Sequence, residues 1–409
     1  MPHPSPRQPS IPPRVLFLFT VAAVGSIPAL AQPDATERQL REKKSFADRE
    51  TQAVAQPFTG LATSQGITPG LFPVKSTGVS TAPLVEAAQA FLATLTPSQK
   101  LRTQFDVEDA EWRRWCNVDN GIYVRQGVSI KEMNGPQREA ARNRLRVSLS
   151  AKGLALTDAI RKTDQTLREI NGGDENYDEE LYFFTVMGIP SPTKPWGWQI
   201  DGHHLVINTF VLGDQVVMTP TFLGGEPIHT TTGKYTDNVI LQDEQNQGLA
   251  LMQALDPAQR TAALLSPTKN KTDIQAEAFK DNAVIDYAGV AVSTFSPALK
   301  TKLRELIALF VNNEEAGHAK VKMEEIEAHL DQTWFAWVGG SSDDAVFYYR
   351  IHSPVILIEF DHQRPVGNTT IRERGQPTRE HIHVVIRTPN GNDYGKDLLR
   401  QHLLEYHHQ

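Results

Sequence analysis

The segment His381-Ile382-His383-Val384-Val385-Ile386-Arg387 alternates imidazole or charge with aliphatic side chains. In a β-strand alternate side chains share a face, so His381, His383, Val385 and Arg387 point one way and Ile382, Val384 and Ile386 the other. The aliphatic face is the core face. Two imidazoles two residues apart on the opposite face have roots about 6–7 Å apart, a span that one metal ion bridges, but at least one more ligand must come from elsewhere. The stretch Trp196-Gly197-Trp198-Gln199-Ile200-Asp201-Gly202-His203-His204-Leu205 supplies two candidates. Read as a strand, it puts His203 and His204 on opposite faces, so that one of them joins a given site. Ile351 to His362 adds His352, Glu359, Asp361 and His362. Glu359 sits in an otherwise apolar strand, where an unpaired carboxylate is costly, so it must meet a metal, an arginine such as Arg350 or Arg387, or a histidine. The bland reading is a structural ion pair between Glu359 and Arg387 that needs no metal.

A three-histidine set predicts a divalent transition metal. Zinc would activate water for hydrolysis, and copper or iron would support oxidation. No Gly-x-Ser-x-Gly elbow is present, which excludes acyl transfer by that route. Cys116, the single cysteine, lies beside Trp112 and Trp115 and reads as a buried hydrophobe rather than a nucleophile. Pro389 to Gly395 directly follows the His381/His383 strand; its Asp393 and Tyr394 stand where a turn would shape the mouth of a pocket.

The elements that must position these residues are partly marked by caps. Thr96-Pro97, Asp256-Pro257 and Ser296-Pro297 each place a capping side chain before a proline and predict helix starts, and Asn134-Gly135-Pro136 is a looser version. Leu95-Thr96-Pro97-x-Gln99 resembles Leu255-Asp256-Pro257-x-Gln259, which shared capping chemistry explains as well as a duplication does. Strands are expected over 181–186, 197–212, 215–221, 333–338, 345–351, 355–361 and 381–387, with Gly213-Asp214 as a hairpin turn. Helices, then strands, then helices, then strands is not βαβ alternation; the order predicts an α+β fold with a mainly antiparallel sheet flanked by helices. One large domain is expected from 83 to 409, preceded over 32–82 by an extended or weakly ordered leader, in which 32 to about 56 could instead form a marginal helix.

Arg7 and Arg14 precede the apolar run Val15 to Val24, and Ala29-Leu30-Ala31 ends the segment with small residues. This predicts an export signal over 1–31, cleaved after Ala31, in place of a stable membrane anchor. The mature protein is expected in the periplasm or outside the cell. With a net charge of −7 and no basic stripe, a nucleic-acid partner is not expected; a small-molecule ligand or substrate is.

Trp196-Gly197-Trp198-Gln199 with Gly202-His203-His204-Leu205, Thr219-Pro220-x-Phe222-x-Gly224-x-Glu226-Pro227, Glu359-Phe360-Asp361-His362, and His381-Ile382-His383 running into Pro389 to Gly395 together resemble the uncharacterised family catalogued as domain of unknown function 3500. The resemblance implies a family-wide domain from about residue 80 onward and no assigned reaction. It adds Glu226 to the candidates. The expected function is an exported metal-dependent enzyme, hydrolase or oxidoreductase, with His381, His383 and His203 or His204 as ligands. Glu359 or Glu226 would be a further ligand or general base, and Arg387 and Asp393 are the other catalytic candidates. The alternative is a non-catalytic exported protein that binds a small ligand.

Overall fold

In the computed structural model residues 1–2 and 35–407 are described; the expected signal segment and its cleavage point lie outside them. Eight principal strands form the centre of one sheet: β1 (Phe183–Gly188), β2 (Trp196–Gly202), β3 (Leu205–Leu212), β4 (Thr221–Gly225), β5 (Trp334–Gly339), β6 (Phe347–His352), β7 (Leu357–His362) and β8 (Ile382–Arg387). Their order is β1-β2-β3-β4-β8-β7-β6-β5, and every neighbouring pair is antiparallel. Short strands complete the edges. Gln104–Phe105 runs parallel and Val128–Ser129 antiparallel to β1, while Leu264–Ser266 runs parallel and Val290–Ala291 antiparallel to β5. The fold is therefore α+β, with a mostly antiparallel sheet and parallel pairs at its margins.

The caps form as their chemistry requires. Thr96, Asn134 and Asp256 each close a capping box with a glutamine three residues on, and the Ser296 side chain accepts from Leu299 N–H. They open α3 (Pro97–Leu101), α4 (Gly135–Ser148), α7 (Pro257–Ala263) and α8 (Pro297–Val311). The other helices used below are α1 (Ala35–Ala55), α2 (Ala82–Thr94), α5 (Ala151–Ile170), α6 (Gln242–Ala254) and α9 (Ala316–Ala328). Within the expected leader, α1 is tied down where Arg113 donates to the Ala53 and Gln56 carbonyls.

The two halves of the chain follow one plan. Each runs through a helix (α2 or α6), a short capped helix (α3 or α7), an edge strand, and a long loop ending in a glycine. Gly127 and Gly289 have φ of +90° and +95°, and a Cβ on either would lie within 2.2 Å of a carbonyl, of Phe184 or Phe335. Next come a second edge strand, a 3-10 turn, two helices (α4 and α5, or α8 and α9), and four principal strands. The first of these ends in a left-handed glycine, Gly188 or Gly339. The halves meet where β4 pairs with β8, from Gly225 opposite Ile382 to Thr221 opposite Ile386. The likeness of the two capped segments thus reflects a repeat of the whole half, with side chains too divergent elsewhere to show it.

Helices cover one face of the sheet: Gly225 faces Thr163 of α5, and Gly248 of α6 faces Tyr349. Long loops cover the other, where Gln199 donates to the Trp112 carbonyl and Glu359 accepts from Gln275 and Ala276. Both faces are dry, so β2, β3, β7 and β8 are buried along their whole length. Alternation between aliphatic and polar side chains in β8 therefore marks two different interiors, not a core and a solvent side. Cys116 is buried, which pushes its thiol up to about 12, out of the range of a nucleophile.

Candidate metal centre

The Gly202-His203-His204-Leu205 stretch is not continuous strand. Gly202 and Leu205 are register partners, so His203 and His204 form the tip of a two-residue hairpin, with His204 at φ 61°. The two turn positions themselves carry no Asn, Gly or Pro, and the Asp201-Gly202 pair that would signal a hairpin stands just ahead of them. The hairpin tip lies beside β4, where Gly224 N–H donates to the His204 carbonyl at 2.8 Å. On the other side of β4, Gly224 is the register partner of His383. A Cβ at Gly224 would stand 2.7 Å from the Ile382 carbonyl and 3.4 Å from the His204 ring, so glycine permits the two histidine-bearing elements to close on each other.

Three imidazoles meet there. His381 Nε2 lies 3.2 Å from His204 Nε2 and 3.0 Å from His383 Nε2. With metal–nitrogen bonds of about 2.0–2.1 Å, nitrogen separations of about 2.9–3.4 Å correspond to bond angles of about 90–110°. The group is buried and positioned to hold a metal ion. His381 Nδ1 is 2.7 Å from the Arg364 carbonyl, which can only accept. That nitrogen must carry the proton, leaving the Nε2 lone pair to face the other two rings. Burial, then repulsion from neighbouring imidazolium charge, pushes His204 and His383 well below the ordinary histidine value; burial lowers His381 too, against the pull of Glu226. All three rings are thus held neutral, the form that ligates.

Glu226 stands behind His381. Its carboxylate accepts from the backbone N–H groups of Val366, Gly367 and Asn368 and lies 3.6 Å from His381 Nδ1. It shapes the loop whose Arg364 carbonyl orients that ring. His203 turns away from the three Nε2 atoms: its Nδ1 is 2.6 Å from Asp164, which also accepts from Tyr182 OH at 2.6 Å. Its ring stacks on His204 at 3.8 Å between centroids. Burial opposes charge on His203, but Asp164 outweighs it and raises this imidazole above its ordinary value. Asp164, His203 and His204 form a second buried set of ligand-type atoms, already knitted together by that hydrogen bond.

Glu359, Arg387 and Asp393 lie off the centre. Glu359 accepts from Gln275 N–H, Ala276 N–H and, at 2.6 Å, Tyr348 OH. Arg387 binds Asp393 and Asp281, each at 2.7 Å, rather than Glu359, and Asp393 accepts from Thr388 N–H. Asp361 is held by Lys269, and His362 lies between Phe347 N–H and Gln245. His352 is packed against Tyr287.

One carboxylate near the centre escaped the sequence reading. Glu277 Oε2 is 3.9 Å from His383 Nδ1, and its side chain keeps 30% of its exposure, so the solvent side of the group lies here. Burial and the nearby Glu359 and Asp361 raise it to about 7. It sits in a loop with no strand periodicity to place it. Its one sequence signal is proximity to Asp273 and Asp281 in a segment otherwise poor in structure.

Fold and site together define an α+β protein with a buried three-histidine centre where its two halves meet, His204 coming from the first and His381 and His383 from the second. Residues 77–396 match the family model described as protein of unknown function (DUF3500), and the chain belongs to that family. No curated protein and no solved structure shows significant similarity to it.

Proposed function

We propose that this is an exported metal-dependent enzyme acting on a small molecule, a hydrolase or oxidoreductase in which His204, His381 and His383 hold one divalent transition metal. The convergence of three neutral imidazoles carries the reading, with His204 and His383 presenting Nε2 at 3.2 and 3.0 Å from His381 Nε2. Hydrogen bonding alone accounts for it poorly. Two N–H groups would have to share the one His381 lone pair, and the buried Nδ1 of His383 would be left as an acceptor facing the Glu277 carboxylate. A metal takes all three lone pairs and makes His383 Nδ1 a donor facing Glu277. On this reading Glu226 and Glu277 both orient ligands, Glu226 through the loop whose Arg364 carbonyl sets His381 and Glu277 by facing His383 Nδ1. Export follows from the expected cleavage after Ala31, and the catalytic unit is the single domain spanning 83–409.

Elemental analysis of protein purified without a histidine tag tests this. About one zinc, copper or iron per chain is expected, falling to background in the His381→Ala/His383→Ala double variant. A chain that is metal-free as isolated, and whose melting temperature no added divalent metal changes, would remove the enzyme reading and leave a small-ligand-binding protein.

A further inference from the structure

Arg144, on α4, is fully buried, and none of its three guanidinium nitrogens has a hydrogen-bond partner among the described residues. Around it stand aromatic rings: Phe91 at 4.4 Å, Phe184 at 4.8 Å and Trp198 at 4.9 Å from Cζ to centroid. Cation–π attraction offsets part of the cost of such a charge, but a buried guanidinium still needs acceptors for its N–H groups. Burial lowers this group only to about 9, so it is cationic at neutral pH.

The repeat shows what this position needs if packing is its only task. Counting from the caps Asn134 and Ser296, the second half places Leu306 where the first places Arg144. Trp198 pairs with the residue two before Gly188, as Tyr349 pairs with the residue two before Gly339. Thr209 is the register partner of Trp198, as Phe360 is of Tyr349. In the second half the cluster is mainly apolar and its polar atoms are satisfied, Tyr349 OH donating to the Glu244 carbonyl at 2.9 Å and Trp337 Nε1 to the Gly339 and Gly340 carbonyls. In the first half Trp198 Nε1 and Thr209 Oγ1 are, like Arg144, buried with no partner among the described residues.

We propose that Arg144, with Trp198 and Thr209 on the same face of the sheet, closes a buried site for one small monovalent anion of halide type. The neighbouring polar groups are mainly donors. A water molecule placed there would accept from them and have few acceptors for its own protons, whereas an anion accepts from all and donates nothing. One guanidinium among aromatic rings balances one negative charge; a divalent anion would leave a net buried charge. The site lies on the helix-covered face, on the opposite side of the sheet from His383, and does not depend on the metal reading.

Crystals of the full chain grown in sodium bromide test the site directly, with an anomalous peak in hydrogen-bond contact with the Arg144 guanidinium expected. In solution, bromide should raise the melting temperature by about 2–4 °C over methanesulfonate at equal ionic strength. Arg144→Leu, the residue of the other half, should abolish that difference. Ordered waters without an anomalous peak would overturn the proposal. So would a peak with no bromide effect on wild-type melting, which marks an adventitious ion only, or equal bromide dependence in the variant. If Arg144→Leu does not fold, the wild-type crystals and melts still decide.

Discussion

Glu359 and Arg387 grip one residue by its two flanking peptides: Glu359 accepts the Ala276 N–H at 2.8 Å, and Arg387 donates to the Ala276 carbonyl at 3.0 Å. The next residue is Glu277, the carboxylate beside His383. The two strand residues therefore act on the histidine centre through the loop they hold. Glu359→Gln puts an amide nitrogen among groups that donate, and a donor facing donors buried at this depth costs about 1–3 kcal/mol. We expect a lower urea midpoint of unfolding and weaker metal retention against a chelator. Unchanged metal affinity in a destabilised variant would show that the grip serves the fold alone.

Glu226 makes a sharper case, because its neighbours include a ligand-orienting carbonyl. Glu226→Gln keeps the shape but loses acceptors for the 366–368 amides, loosening the Arg364 carbonyl against which His381 is set. Loss of such outer partners typically costs about 10–100-fold in metal affinity. Competition with a chromogenic chelator measures it. Affinity within twofold of wild type would argue that the loop keeps its shape without the carboxylate.

Local chemistry was legible in the sequence and long-range convergence was not. Capping boxes at Thr96, Asn134 and Asp256 need only residues within one turn, so their spacing announces them. The His381-x-His383 spacing announces a shared face for the same reason. The hairpin tip at His203-His204 was hidden, since the left-handed residue there is His204 and neither tip position is glycine or asparagine. Which of the two histidines turns inward follows from β4 lying beside the tip, a fact of topology. Glu277 is positioned by residues more than 80 positions away, and no local pattern encodes that. The repeat was hidden because it conserves caps and glycines while exchanging pairs such as Arg144 and Leu306.

Gly224 lets the hairpin tip and β8 approach, so Gly224→Ala is a test of that closeness. The new Cβ, 2.7 Å from the Ile382 carbonyl, forces backbone apart, because a carbonyl in a central strand cannot swing aside as a side chain can. Overpacking of this kind costs about 1–3 kcal/mol. The displaced strand is the one carrying His381 and His383, so metal binding should weaken along with the melting temperature. A variant that melts early yet binds metal as tightly as wild type would mean that the three rings regroup independently of the β4–β8 spacing.

His352 offers a pH test away from the metal centre. Burial, helped by the Arg350 charge, lowers it to about 3, while Asp286 pulls weakly the other way. In the unfolded chain the same imidazole titrates near 6.5. Above about pH 6.5 both states are neutral here and the residue adds no pH dependence. Below it the unfolded state binds a proton that the folded state does not, so stability falls with pH, by about 1.4 kcal/mol per unit for one such group, down to the folded value. His352→Phe keeps an aromatic ring against Tyr287 and removes the titration. Urea unfolding of metal-free protein between pH 6.5 and 4.5 should therefore give a shallower fall in the variant by about that slope, whatever the other groups contribute to both. Parallel stability curves for the two proteins would mean that His352 is protonated in the fold.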